Sequence, residues 1–157
     1  MNAQSEWTPG VGVGRYLLGA PIQKYVDDGF LVHRRWSDII GNADSFDDEA
    51  AGIVVFPEDD DDGNIIVPPG EGGKFGIIDS LKCTKSLQYK NKELLGISLQ
   101  AVISVLGVPP QSDGEEFYLG EEDVQTTADF DDLGLILWFR DGLSVTASVM
   151  EVIEDGD

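Results

Sequence analysis

The sequence predicts an α+β fold of two tandem helix-plus-antiparallel-meander repeats, with the helices packed on one face of the sheet. Three observations predict it: an internal self-match, two amphipathic helical stripes, and apolar strand-like runs after each stripe. The self-match aligns Leu17-Leu18-Gly19, Pro21-Ile22-Gln23 and Tyr25-Val26 with Leu94-Leu95-Gly96, Ser98-Leu99-Gln100 and Val102-Ile103, 77 positions later. Gly52-Ile53-Val54-Val55-Phe56 then matches Gly134-Leu135-Ile136-Leu137-Trp138-Phe139, 82 positions on. Self-similarity at a nearly fixed offset is how a repeated supersecondary unit shows itself. The repeats fall at approximately 10–81 and 85–153, inside one compact unit of 157 residues. That length suits one domain with a sizeable core.

Taken in order, the first repeat opens with Pro21 in a first helical turn, then Ile22, Tyr25 and Val26 as the buried stripe and Gly29 as the stop. Ile53 to Phe56 reads as a strand, followed by an acidic turn ending in Asp62-Gly63 and a strand over Ile65-Ile66-Val67. Pro68-Pro69 end it, and Phe75 to Leu81 reads as a further strand. In the second repeat Ser98 caps a helix with Leu99, Val102, Ile103 and Leu106 on one face, and Gly107 followed by Pro109-Pro110 ends it. Leu135 to Phe139 is apolar throughout, as a strand covered on both faces requires. Asp141-Gly142 is a tight-turn signal, after which Leu143, Val145, Ala147 and Val149 alternate with Ser144, Thr146 and Ser148 as a half-buried strand.

Charge narrows function further than fold does. Ten Lys and Arg stand against thirty Asp and Glu, a net charge of −20. A protein that grips nucleic acid or an anionic membrane directly needs basic patches, so both classes are excluded and a basic protein partner is expected. With no run as long as a membrane span and no basic-then-apolar leader in Met1 to Glu6, a cytoplasmic location is expected. The negative charge gathers in two windows: Asp38 to Asp62 holds ten acidic residues, Asp113 to Asp132 holds nine, and neither contains Lys or Arg. Such runs are either solvated loops or an interface for a cationic partner. On the interface reading, the contact residues are Asp59, Asp60, Asp61 and Asp62 from the first window, and Glu115, Glu116, Glu121, Glu122 and Asp123 from the second. Trp36 and Tyr118 are the candidate aromatic anchors, the residue types that carry most energy at interfaces.

Catalytic chemistry is poorly supplied, and the chain reads as neither an enzyme nor a cofactor protein. His33 is the only histidine, and it sits in the basic run His33-Arg34-Arg35. Cys83 lies between Lys82 and Lys85, which favours the thiolate, but at a strand end with no base assigned to it; it reads as structural. Gly10-Val11-Gly12-Val13-Gly14 lacks the preceding strand and the Lys-Ser/Thr of a phosphate loop. Glu58, Asp60, Asp62 and Gly63 fit positions 1, 3, 5 and 6 of a calcium loop, but Pro69 stands where the bidentate Glu belongs, so no metal site is assigned.

Small size, acidity and an αβ duplication without catalytic groups resemble the immunity proteins of bacterial polymorphic and contact-dependent toxin systems. The residues that carry the resemblance are the Leu-Leu-Gly blocks at 17–19 and 94–96, Leu106-Gly107-Val108-Pro109, and the run from Gly134 to Phe139 with Asp141-Gly142. Similar helix-plus-meander units occur in tandem-repeat β-lactamase inhibitor proteins and in small outer-membrane lipoproteins. The resemblance implies inhibition by occupancy: the chain binds a cognate toxin domain in the cytoplasm and covers its active site. A toxin that acts on DNA or RNA carries a basic groove, where the acidic windows would take the place of phosphates. The competing expectation is an acidic chaperone or adaptor, or a nucleic-acid mimic, for some other basic protein.

Overall fold

Strand alternation decides which side of the main sheet is buried. Ile53, Val55 and Pro57 of one strand are buried while Val54 and Phe56 between them are half-exposed. Leu135, Leu137 and Phe139 of another are buried while Ile136 and Trp138 are not. The structure, a computed structural model, describes residues 5–37, 42–59, 65–66, 75–118 and 123–152, with the backbone alone at 35–37 and 42–43.

The chain begins with three two-residue strands, β1 (Trp7–Thr8), β2 (Gly12–Val13) and β3 (Tyr16–Leu17), paired in that order. Helix α1 (Ile22–Asp27) follows, then β4 (Val32–Ser37), β5 (Asn42–Asp48), β6 (Ile53–Pro57) and β7 (Ile78–Cys83). A short hairpin, β8 (Gln88–Tyr89) and β9 (Lys92–Glu93), leads to helix α2 (Leu99–Leu106). Strands β10 (Ser112–Tyr118), β11 (Val124–Phe130), β12 (Leu135–Arg140) and β13 (Leu143–Met150) complete the described chain. Eight strands join one antiparallel sheet in the order β10-β11-β12-β13-β7-β6-β5-β4.

This architecture corrects the expectation of two helix-plus-meander repeats in an α+β fold. The protein is mostly β, and eight of its described strands form one continuous sheet. The two α-helices among the described residues have six and eight residues, too little helix to cover such a sheet. The layer over the buried face is mixed instead: Trp7, Val13 and Tyr16 from the small sheet join Ile22, Tyr25, Leu87, Leu94 and Val102 in one core cluster. The expectation failed because β5 (NADSFDD) and β10 (SDGEEFY) are polar strands without an apolar run. Pairing to a neighbour makes them strands, a tertiary effect that local propensity does not register.

The helices themselves stand where their caps place them. The Ser98 side chain accepts a hydrogen bond from the Ala101 backbone N–H at 3.2 Å, and Gly107 closes α2 in the left-handed conformation at φ 76°. Pro21 is not in the first turn of α1 but precedes it in extended geometry, at φ −64° and ψ 128°.

Two local devices hold the layers together. The Glu93 carboxylate accepts hydrogen bonds from the Ser86 hydroxyl and from the backbone N–H groups of Leu87 (2.8 Å), Leu94 (3.1 Å) and Leu95 (3.2 Å). Buried Ser144 joins β13 to the entry of α2: its hydroxyl donates to the Leu94 carbonyl at 2.6 Å and accepts from the Ile97 N–H at 3.2 Å. Gly134, at φ 65°, lies against β13 so closely that a Cβ would sit 2.2 Å from the Met150 carbonyl oxygen. Replacing Gly134 with Ala therefore combines a left-handed backbone with a main-chain clash. We expect Gly134→Ala to lower unfolding free energy by about 1–3 kcal/mol or more in urea titration. Glu93→Ala leaves the Leu87 and Leu95 N–H groups unserved, while the Leu94 N–H keeps the Leu87 carbonyl at 2.8 Å. The change should cost about 2 kcal/mol or more in the same measurement.

Candidate partner-binding surface

The second acidic window folds as a hairpin rather than as a loop. β10 pairs with β11 in the register Glu115↔Thr127, Glu116↔Thr126, Phe117↔Gln125 and Tyr118↔Val124. A bulge between Asp113 and Glu115 is made by Gly114 at φ 86°. Side chains alternate across a strand, so Glu115 and Phe117 share the sheet face opposite the core, and Glu116 and Tyr118 share the other. Phe117 is the half-buried residue that pins β10 down: its ring lies 4.9 Å from that of Trp138 on β12. Tyr118 is 74% exposed, and its hydroxyl donates to Glu116 Oε2 at 3.1 Å. That hydrogen bond and the nearby negative charge push the Tyr118 phenol above its ordinary value.

Little of the negative charge here is neutralised. Arg140 donates to both carboxylate oxygens of Asp123, Nε to Oδ1 at 2.8 Å and Nη2 to Oδ2 at 2.9 Å. This fork holds the Asp123 carboxyl below the usual range, through hydrogen bonding first and charge attraction second. Among the described residues, neither Asp113, Glu115 nor Glu116 meets a cation in an ion pair.

The other expected contact residues lie elsewhere. Asp59 follows β6 and forms an isolated antiparallel bridge with Ile65. Strand order puts β6 five places from β10, about 24 Å across the sheet. The two windows therefore do not make one surface. Trp36 lies on β4, its backbone opposite Ala43, at the far edge of the sheet from Tyr118. Asp60, Asp61, Asp62, Glu121 and Glu122 lie outside the described residues, as does most of the 58–69 segment weighed above as a calcium loop.

Around Asp59 the structure assembles a group that sequence inspection missed. Asp79 sits in the β7 bulge opposite Phe56 and Pro57, with Glu58, Asp59 and Glu151 near enough to act on it. Partial burial, then repulsion from Glu58, Glu151 and Asp59 in that order, raises the Asp79 carboxyl. No sequence signal marks Asp79, because the bulge arises only when β6 and β7 pair. The uncovered sheet face also carries a groove of about 360 Å³ lined by Phe56, Ser80, Lys82, Gln125, Trp138 and Thr146 among others.

The candidate chemical groups are built into the fold. His33 Nε2 lies 2.6 Å from Asp44 Oδ1, and the imidazole stacks on Phe46 at 4.7 Å and leans on Phe75 at 4.9 Å. Asp44 is buried, so this pair joins β4 to β5 at the rim of the core. Cys83 is fully buried, and burial first, with the Glu93 carboxylate second, pushes its thiol up to about 12. The lysines beside it in sequence do not set its acidity, because burial outweighs their attraction for the thiolate. Among the described residues, no group of three or more His, Cys, Asp or Glu side chains is placed to hold a metal ion. Nor is any described helix long and apolar enough to cross a membrane.

The chain matches no protein-family model, no curated protein and no solved structure.

Buried acids that stay protonated in the fold make stability fall on the alkaline side. An unfolded thiol titrates near 9.0, whereas folded Cys83 keeps its proton to about 12. The Tyr16 phenol is shifted the same way, by burial and by its 2.6 Å hydrogen bond to Asp48. The unfolded chain thus releases these protons first, and stability declines as pH rises through that window. Urea midpoints should drop progressively between about pH 9 and 12, less steeply in Cys83→Ala. At neutral pH a thiol reagent should label Cys83 only as fast as the protein opens, whereas rapid labelling of the native fold would contradict the buried placement.

Proposed function

We propose that the protein is an inhibitor of the immunity type, which binds a basic toxin domain in the cytoplasm and covers its active site. The observation that supports this reading is the acidic hairpin at the sheet edge, where Asp113, Glu115 and Glu116 are exposed beside Tyr118. Like charge held this densely costs folding stability through self-repulsion, and a cationic partner relieves it. The same field accelerates encounter, toward the order of 10⁸–10⁹ M⁻¹s⁻¹ at low salt. Tyr118 supplies a ring that binding would desolvate, while Phe117 packed on Trp138 keeps the hairpin rigid. A nuclease or other nucleic-acid-directed toxin fits best, because its phosphate groove must be basic.

The test is capture of partners from a lysate of the source at low and moderate salt, followed by expression of the retained protein in a susceptible host. The reading requires one basic domain that arrests growth alone and ceases to do so when this chain is co-expressed. Binding should weaken steeply with salt, and Glu115→Lys with Glu116→Lys should reduce affinity by about tenfold or more. Retention of a basic protein that is harmless by itself would favour an acidic chaperone or adaptor instead. Diffuse retention of many basic proteins would leave the charge as a solubility device.

A further inference from the structure

The eight-stranded sheet does not close on itself, and β10 is one of its two open edges. On its outer side the backbone N–H and C=O groups of Ser112–Tyr118 pair with no other strand among the described residues. The strand is seven residues long, and Ser112 to Glu116 are all exposed. Such an edge is a template for one more strand, and proteins ordinarily blunt it with charge, bulges or brevity. Here the bulge sits at Gly114, near the start, leaving Glu115 to Tyr118 in regular register with β11.

We propose that this edge takes an extended cationic strand from the protein's partner by β-augmentation. The inference rests on the basic-partner reading above and specifies how that partner is held. Main-chain hydrogen bonds supply affinity in this mode, and alternating side chains supply selectivity. The alternation in β10 is informative. One face presents Glu115 and then Phe117; the other presents Glu116 and then Tyr118. An incoming strand meets a carboxylate followed by an aromatic ring on both faces. Arg satisfies both, pairing its guanidinium with the carboxylate and stacking on the ring. The same pattern repels a second copy of this chain, since pairing two β10 edges would bring Glu115 and Glu116 against their counterparts. The opposite edge, β4, offers no equivalent: Arg34 is held by Asp47 and Glu49, and His33 by Asp44.

The experiment uses the full chain, isotopically labelled, and a synthetic peptide of alternating Arg and Thr as the probe. Added peptide should shift the β10 amide resonances and slow hydrogen exchange at those facing away from β11. Methylating the peptide's backbone nitrogens at alternate positions keeps its charge and removes its donors. That change should weaken binding by about tenfold, as should Glu115→Lys with Glu116→Lys, whose amide spectrum reports that the fold is intact. An alternating Glu and Thr peptide should not bind, and the chain alone should sediment as a monomer through this edge. Equal binding of the methylated peptide would overturn strand pairing in favour of charge attraction alone. Perturbation centred on Asp59 and Asp79, or a dimer paired through β10, would overturn it too. If the captured toxin domain binds while the β10 amides still exchange freely, the strand-pairing inference falls and the inhibitor reading stands. If the peptide pairs with β10 but no captured protein is toxic, the reverse holds.

Discussion

The pairing of β7 with β13 makes the main sheet one sheet of eight strands instead of two of four. Cys83 lies opposite Ala147, Leu81 opposite Val149, and Ser80 opposite Met150, so chain segments more than sixty residues apart are zipped at the centre. The buried rows run straight across that join: Ile53, Cys83, Ala147, Leu137 and Ala128 in one, and Val55, Leu81, Val149, Leu135 and Phe130 in the next. Burial of these rows under the small sheet and short helices is the main source of stability. A one-residue slip at β7–β13 would turn Leu81 and Cys83 toward solvent, so the register is set by the same apolar surface that it creates.

Because that join consumes the inner edges, β4 and β10 are the edges of the eight-stranded sheet among the described residues, and the chemistry of the two differs. On β4, Arg34 is matched by Asp47 of β5 and Glu49 of the turn after it, and His33 by Asp44. Among the described residues the β10 carboxylates have no such answer, and Arg140 on β12 is taken up by Asp123. An edge strand made of Asp, Glu and one exposed tyrosine is poor at self-association and well suited to a basic surface. Sheet topology, rather than charge density alone, thus separates the β10 hairpin from the acidic group around Asp79. The latter lies on mid-sheet strands whose edges are already paired.

The sequence made some of this legible and hid the rest for identifiable reasons. The extent of α2 was readable because Ser98 and Gly107 act on backbone groups within a turn of themselves. Strands β12 and β13 were readable from the apolar run at Leu135 to Phe139 and the alternation after Asp141-Gly142. Only Ala147 and Val149 face the core as that alternation expected: a bulge beside Phe139 leaves Leu143 exposed and buries Ser144. β5 and β10 were hidden because Asn, Asp, Ser and Glu dominate them, and their strand conformation comes from neighbours. Of the candidate contacts, Glu115, Glu116, Tyr118 and Asp123 do fall on one hairpin. Asp59 and Trp36 do not join them, since linear charge windows carry no information about strand order.

The sequence by itself determined the net charge, the scarcity of catalytic side chains, the caps of α2 and the apolar faces of the central strands. These follow from residue identity or from interactions spanning a few positions. Only the tertiary structure decided that the strands form one sheet, that the helices are minor, that Cys83 is shielded, and that an acidic segment became an open edge. Each of these depends on pairing between residues far apart in the chain. Such pairing is selected by the burial of whole rows at once, which no local pattern encodes.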